Sequence, residues 1–160
     1  SYLEPDMQAL SRVLCLSLGL LSFSAVAQVE VSGPVEYGLF HTPYQAFEPG
    51  ERLLTQNNQT IEQTTVIPAK LGSRFGLRYS LSGKQTGDLP LTLLYLTPGV
   101  ITPDGQRHDK IVVEQPLAMN AVKDVMAFEF SEHYEVVPGE WEFLVFQGDR
   151  LLARQRFEVR

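Results

Sequence analysis

Three histidines are the residues of this chain with the most versatile chemistry, since imidazole can bind a metal or transfer a proton near neutral pH. His41, His108 and His133 are widely separated, and no two have the short spacing typical of metal ligands. His108 belongs to Arg107-His108-Asp109, which could be a metal-binding or acid–base fragment but is more typical of a solvated hairpin tip. His133 lies in 132–135, where charges alternate as on a strand edge. The pattern predicts no metal site.

Motifs that organise enzyme active sites are also missing from the sequence. HExxH, GxSxG and the phosphate-binding loop do not occur in it. A Ser-His-Asp triad can assemble from distant positions, so the sequence does not exclude one. We therefore predict a non-catalytic binding or assembly module without a cofactor, and the alternative is a small secreted hydrolase with a non-motif active site. A polar pocket with convergent titratable groups would favour the hydrolase, and a long unpaired strand edge would favour the module.

Aromatic side chains beside a proline- and glycine-containing loop are the candidate binding residues. Phe40, Tyr44 and Phe47 lie in or next to 41–50. If they are exposed, they could stack on a sugar or grip a peptide. The alternative is that they pack over an open end of the fold.

Two pairs of arginines are further candidates for binding an anionic ligand. Arg74 and Arg78 share one face of a predicted strand, and Arg154 and Arg156 share one face of another. Charges of this kind are also typical of a strand face that simply contacts water, so either interpretation is open.

The N-terminal segment has the three parts of a secretory signal peptide. From Met7, the positive Arg12 precedes an apolar stretch, 13–23, and the small residues 25–27 form a cleavage site. The apolar stretch is short for a bilayer span, and no stop-transfer charges follow it. We predict cleavage after Ala27, with Ser1–Asp6 as upstream residues, a periplasmic or secreted location, and no membrane span after cleavage.

The remaining segment, 28–160, is predicted to be one domain that is stabilised by its core alone. The one cysteine, Cys15, lies in the predicted signal peptide, so no disulfide, thiol nucleophile or cysteine metal site is expected after cleavage. The formal net charge of the chain is −6. This acidic balance argues against nucleic acid and anionic membranes as partners, and leaves a protein or a saccharide.

Period-two alternation of apolar and polar residues dominates 28–160 and predicts short strands separated by proline and glycine turns. We expect an all-β fold, an immunoglobulin-like antiparallel β-sandwich of seven or eight strands. The predicted strands lie at 28–40, 62–67, 75–81, 91–96, 110–114 and 126–130, followed by a hairpin within 136–160.

The hairpin contains the only tryptophan of the chain, and its register can be predicted from burial. Trp141 and Val145 share a face, as do Ala153 and Phe157 on the second strand. A three-residue loop, Gly148–Arg150, or a bulge would place Trp141 opposite Phe157 and Val145 opposite Ala153, whereas a plain two-residue loop would bury arginines. We expect Trp141 to be buried against the opposite sheet.

Three sequence pieces together resemble a known family. They are IPAKLGSRFGLRYSLSG (67–83), the Pro98-Gly99 turn after an apolar strand, and EHYEVVPGEWEF followed by RQRFEV. They are similar to a family of small exported bacterial immunoglobulin-like domains that is described only as a domain of unknown function. Because the shared motifs form strands and turns, the resemblance implies the fold and assigns no catalytic residue.

Export can be tested directly on protein that is produced with its N-terminal segment. We expect the mature chain to begin at Gln28, because signal peptidase cleaves after small residues such as those at 25–27. Intact-mass measurement of the periplasmic protein checks this. A mass that still includes residues 7–27 would contradict the prediction.

Overall fold

The computed structural model describes residues 28–41 and 59–160, which form nine β-strands and one short 3-10 helix, His133–Glu135. The predicted signal peptide, in 1–27, lies outside the described residues. Within them, no helix is long and apolar enough to cross a membrane. The strands are β1 (Glu30–His41), β2 (Thr60–Glu62), β3 (Val66–Ile67), β4 (Arg74–Ser82), β5 (Leu91–Ile101), β6 (Arg107–Gln115), β7 (Asp124–Glu129), β8 (Gly139–Gln147) and β9 (Arg150–Val159).

The strands form two sheets that pack face to face. The four-stranded sheet has the order β2-β1-β4-β7, and the five-stranded sheet has the order β3-β9-β8-β5-β6. Each pairing is antiparallel except that of β3 with β9. This confirms the predicted all-β sandwich.

The described strands number nine rather than seven or eight because 62–67, predicted as one strand, is divided between the sheets. β2 pairs with β1 in the four-stranded sheet, and β3 pairs with β9 in the five-stranded sheet. Between them the Thr64 hydroxyl accepts a hydrogen bond from the Val66 amide at 3.1 Å. No proline or glycine lies in 60–67, so the sequence does not reveal this crossing.

The predicted register of the C-terminal hairpin is confirmed. Trp141 lies opposite Phe157, and Val145 lies opposite Ala153. The connection is a two-residue loop in which Gly148 has a φ of +60°, a left-handed conformation that glycine adopts without strain. The register then shifts between Val145 and Phe146, so that Leu152 is the additional residue of a β-bulge. The bulge keeps the aromatic residues of both strands on the inner face.

An aromatic cluster fills the space between the two sheets, with Phe75 of β4 at its centre. The ring centroid of Phe75 lies 5.8 Å from that of Trp141 and 5.1 Å from that of Phe143. Trp141 is completely buried, and its indole N–H donates to the Val137 carbonyl at 2.9 Å. The first pair is edge-to-face and the second is stacked, and both arrangements add to the free energy gained from burial alone. The other rings of the cluster are Tyr95, Phe128, Phe130 and Phe157.

An ion-pair cluster lies on the outer face of the four-stranded sheet. Arg78 donates two hydrogen bonds to the Glu36 carboxylate, at 2.7 and 2.9 Å, and Lys123 donates a third at 2.9 Å. The hydrogen bond from Arg78, followed by that from Lys123, lowers the pKa of Glu36 from 4.5 to about 2, against the opposing effect of burial. Because Glu36 and Arg78 are directly opposite in β1 and β4, the cluster joins the two strands.

Removal of the tryptophan should cost the fold much of its stability. We expect Trp141→Ala to lower the free energy of unfolding by about 3–5 kcal/mol, because a large cavity replaces a buried ring. In contrast, Val122→Ala, at a side chain that is 81% exposed, should change it by less than about 0.5 kcal/mol. Thermal and denaturant melts of both variants check this. A shift of about one degree for Trp141→Ala would contradict it.

The Glu36 cluster should make stability depend on acidity. Because the folded pKa is below the unfolded value of 4.5, the stabilisation is complete above pH 4.5 and is lost as the pH falls towards about 2. Glu36→Gln should remove this part of the pH dependence, on the order of 1 kcal/mol once solvent screening is included. Denaturant melts at about pH 6 and about pH 3 measure it. Glu158→Gln, at an exposed carboxylate, should retain it, and identical profiles for wild type and Glu36→Gln would refute the assignment.

Candidate functional site

The aromatic residues predicted to bind a ligand are only partly within the described residues. Phe40 lies opposite Ile61 of β2, and 7% of its surface is exposed. It lines a cleft of about 340 Å³ together with Pro68, Leu71 and Arg74. Tyr44 and Phe47 lie outside the described residues. A binding role for the three residues and the alternative, packing over an open end of the sandwich, both stay predictions.

The three histidines lie on separate elements. His41 ends β1, with its Nε2 in hydrogen-bond contact with the Glu62 carboxylate at 2.9 Å, whereas His108 lies 3.2 Å from the Thr102 hydroxyl. Two details differ from the sequence interpretation: 107–109 is the beginning of β6 rather than a hairpin tip, and His133 begins the 3-10 helix rather than lying on a strand edge. Within 28–41 and 59–160 no three His, Cys, Asp or Glu side chains come together as metal ligands would.

Three of the four arginines predicted as candidates for anion binding form ion pairs with carboxylates of the chain itself. Arg78 is held by Glu36 in the cluster described above. Arg154 lies 2.5 Å from one oxygen of Glu142, and Arg156 lies 3.2 Å from the other. Glu142 is 8% exposed, so the two arginines compensate a carboxylate that is largely removed from water. These three arginines therefore stabilise the sheets and do not form an empty anion site.

A buried polar cluster lies beside β4 and β7. Lys84 Nζ is 3.1 Å from Asp124 Oδ2 and donates to the carbonyls of Ala118 and Ala121 at 2.7 and 3.0 Å. Burial, with the Asp124 charge as the second cause, raises the pKa of the nearby Tyr79 hydroxyl well above its usual value of 10. The hydroxyl is therefore protonated at neutral pH and is a poor nucleophile. Lys84 therefore joins Asp124 to the 118–121 segment, and these buried groups do not form an accessible pair of catalytic residues.

The edge strand β6 carries exposed apolar side chains. It borders the five-stranded sheet and pairs with β5 on one side. Val112 is 53% exposed and Val113 is 43% exposed, whereas Ile111 packs against the core. Within the described part of the chain no strand pairs with the second side of β6. We call this side, with the side chains of Arg107–Gln115, the β6 edge.

The direction of the backbone groups on this edge follows from the sheet register. The amide of Glu158 donates to the Thr65 carbonyl of the β3 side at 2.8 Å. In a strand, the backbone N–H and C=O groups of successive residues point to opposite sides. Because Glu158 bonds to the β3 side, Phe157 bonds towards β8, to its opposite residue Trp141. The next residue of β8, Glu142, then bonds towards β5, as does Leu144 two positions further along.

The same alternation extends across β5 to the edge. Leu144 lies opposite Leu94, so Leu94 bonds towards β8 and Leu93 bonds towards β6. Leu93 lies opposite Val113, which therefore bonds towards β5. Consequently the amides and carbonyls of Lys110, Val112 and Glu114 point away from the sheet. These outward groups can bind an added strand.

Local sequence signals do not reveal this edge. The alternation in 110–114 predicts a strand, and the structure confirms one at Arg107–Gln115. The pair Val112-Val113 suggests a core strand, because both faces then look apolar. What makes β6 an edge is its place in the strand order, which depends on pairing between distant segments.

Comparisons with known proteins agree with the fold. The profile of a family described as domain of unknown function (DUF3859) matches residues 28–159. An immunoglobulin-like protein from Pseudomonas aeruginosa is 58% identical in sequence; the alignment covers 85% of this chain and 99% of that protein, and the TM-score is 0.74. No curated protein matches the chain significantly.

Two larger proteins contain weakly similar regions. One is the alkylpurine DNA glycosylase AlkC from Pseudomonas fluorescens bound to DNA with an abasic site analog, at 16% identity, with 84% of this chain and 31% of that chain covered and a TM-score of 0.40. The other is a β-glucosidase from Listeria innocua in complex with glucose, at 10% identity, 83% and 16% coverage and a TM-score of 0.35. Both TM-scores are below 0.5, so neither protein is informative about the fold or function of this chain.

The family match and the Pseudomonas aeruginosa relative confirm both the resemblance drawn from the sequence and the immunoglobulin-like architecture. The chain belongs to the DUF3859 family of domains of unknown function.

Proposed function

We propose that residues 28–160 form an exported, non-catalytic interaction module that binds an extended polypeptide segment along the β6 edge. The observation that carries this proposal is the β6 edge itself, a strand of nine residues with outward backbone groups and two exposed valines. In β-strand addition, main-chain hydrogen bonds supply affinity and alternate side chains supply specificity. Lys110, Val112 and Glu114 offer both kinds of contact.

Two of the other sheet borders, β2 and β3, carry features that discourage pairing, and the third, β7, has six residues against nine in β6. β2 has three residues and β3 has two, and short edge strands offer few hydrogen bonds to a newcomer. The part of β9 beyond β3 carries the charged Arg154 and Arg156 and the bulge at Leu152. Charges and bulges protect strand edges in the same way. At the centre of β6, by contrast, an exposed apolar pair lies between Lys110 and Glu114.

The absence of catalysis is inferred from how the polar groups are used. In the described residues, Glu36, Glu142 and Asp124 are each paired with cations of the chain itself. A cleft of about 500 Å³ on the five-stranded sheet includes Glu140, Arg156 and Glu158, and Arg156 lies 3.5 Å from Glu140. The described lining of this cleft includes no serine, cysteine or histidine, so it does not assemble the nucleophile–imidazole pair of a serine or cysteine hydrolase.

A polypeptide is favoured over a saccharide because of where the aromatic rings lie. Saccharide sites commonly present exposed aromatic faces for stacking. Among the described residues the rings around Phe75 are packed between the sheets, and the most exposed aromatic side chain is that of Tyr134, at 38%. A backbone edge suits an extended peptide better. The acidic balance of the chain and its predicted signal peptide point to a protein partner in the periplasm.

Capture from a periplasmic extract tests the proposal. Residues 28–160 should retain specific proteins, and Val112→Pro should retain less than about a tenth of them, because proline removes the central outward amide. Since that amide does not bond to β5, the variant should remain folded. The matched control is Val113→Pro, which removes an amide that bonds to β5 and should lower the melting temperature by several degrees.

The capture is quantified by mass spectrometry, and thermal melts verify the folded state of each variant. A second variant, Val112→Lys, keeps the amide and adds an edge charge, and it should also reduce capture. Equal retention of the same proteins by wild type, Val112→Pro and Val112→Lys would contradict a role for the β6 edge.

A further inference from the structure

We propose that the strand added to β6 is the β6 strand of a second copy of this chain, in an antiparallel pair with Val112 opposite Val112. This inference rests on the proposed function, because it assigns an occupant to the same edge. It would join two five-stranded sheets into one continuous sheet across a two-fold axis. The support comes from the backbone direction of β6 and from the order of its side chains.

Backbone direction limits the registers that two copies of β6 can form. Lys110, Val112 and Glu114 bond outward, so these residues must lie opposite one another in the pair rather than opposite Ile111 or Val113. Shifting one copy by a single residue would place inward-bonding residues opposite outward-bonding ones. The allowed registers are therefore related by shifting one copy of β6 along the other in steps of two residues.

Charge selects one register from this set. With Val112 opposite Val112, each Lys110 lies opposite Glu114 of the second copy, which gives two pairs of opposite charge. A register centred on Lys110 places lysine opposite lysine, and one centred on Glu114 places glutamate opposite glutamate. Registers centred on Ile111 or Val113 place Val112 opposite a charged residue. The symmetric register on Val112 is the one that matches charges and apolar groups together.

The same register covers the exposed apolar surface. On the face with Lys110 and Glu114, the half-exposed side chain of Val112 meets Val112 of the second copy. On the opposite face, Val113 meets Ile111 of the second copy, and the two-fold axis repeats this contact. Cross-strand pairs of β-branched residues stabilise antiparallel sheets. The valines that the single chain leaves in water are thereby buried from both sides of the pair.

Sedimentation equilibrium of residues 28–160, at concentrations up to about 1 mM, tests the pairing, since a contact one strand wide belongs with weak associations. Near 0.15 M salt, long-range repulsion between the acidic domains is screened beyond about 8 Å. We expect a reversible dimer. Lys110→Glu and Glu114→Lys should each weaken self-association about tenfold or more, because each replaces two attractive pairs with two repulsive ones.

Mixing the two variants provides the decisive measurement. An equimolar mixture of Lys110→Glu and Glu114→Lys should form heterodimers, because each glutamate then lies opposite a lysine. The double variant Lys110→Glu/Glu114→Lys should dimerise about as well as wild type for the same reason. Both side chains are exposed, so thermal melts should be nearly unchanged. A mixture that stays monomeric while wild type dimerises would overturn the register.

The outcomes also separate this inference from the function on which it rests. If the wild type is monomeric throughout and Val112→Pro still loses captured periplasmic proteins, the second copy is excluded and a different polypeptide occupies β6. If the wild type is monomeric and Val112→Pro captures as wild type does, both proposals are overturned. Exchange of amide hydrogens gives an independent readout: on dimerisation the amide of Val112 should become protected, whereas that of Val113 is protected already.

Discussion

The packing of aromatic rings between the two sheets is the interaction on which the rest of this structure depends. Such a core is close-packed and not fluid, because rings at centroid distances of 5.1 to 5.8 Å from Phe75 can be accommodated in few orientations. Trp141 is further fixed by its hydrogen bond to Val137. No cysteine is present in 28–160 to supplement this packing with a disulfide. The burial of these rings therefore decides which face of β8 and β9 points inward.

That choice of face has consequences far from the core. Once Trp141 lies opposite Phe157, the alternation of hydrogen bonds passes through β8 and β5 and decides which amides of β6 point outward. A slip of one residue anywhere in this series would turn Val112 inward and Val113 outward. The bulge at Leu152 lies between the hairpin loop and the Trp141–Phe157 pair, so it does not change this register. The chemistry of the β6 edge is thus a result of how the aromatic core is packed.

The sequence predicts those parts of the fold that depend on local alternation and burial. The all-β class, the Trp141–Phe157 register and the family resemblance could all be obtained from it. It does not predict the crossing at Thr64, because no proline or glycine in 60–67 marks the change of sheet. Nor does it predict the ion pair of Lys84 with Asp124, whose partners are distant in sequence. The edge position of β6 is likewise not predictable from the sequence, because strand order is set by pairing between segments that no local pattern connects.

The pairing of charged side chains within the chain is the reason why we propose recognition through the backbone of β6. The carboxylates Glu36, Glu142 and Asp124 are neutralised by cations of the chain, and a partner would have to break those contacts before it could use them. Within the described residues no strand pairs with the outward amides and carbonyls of β6, so a partner would replace only their hydrogen bonds to water. Backbone groups alone would accept any extended segment. The order of Lys110, Val112 and Glu114 restricts that choice, since it penalises like charges and mismatched registers while rewarding one complementary sequence.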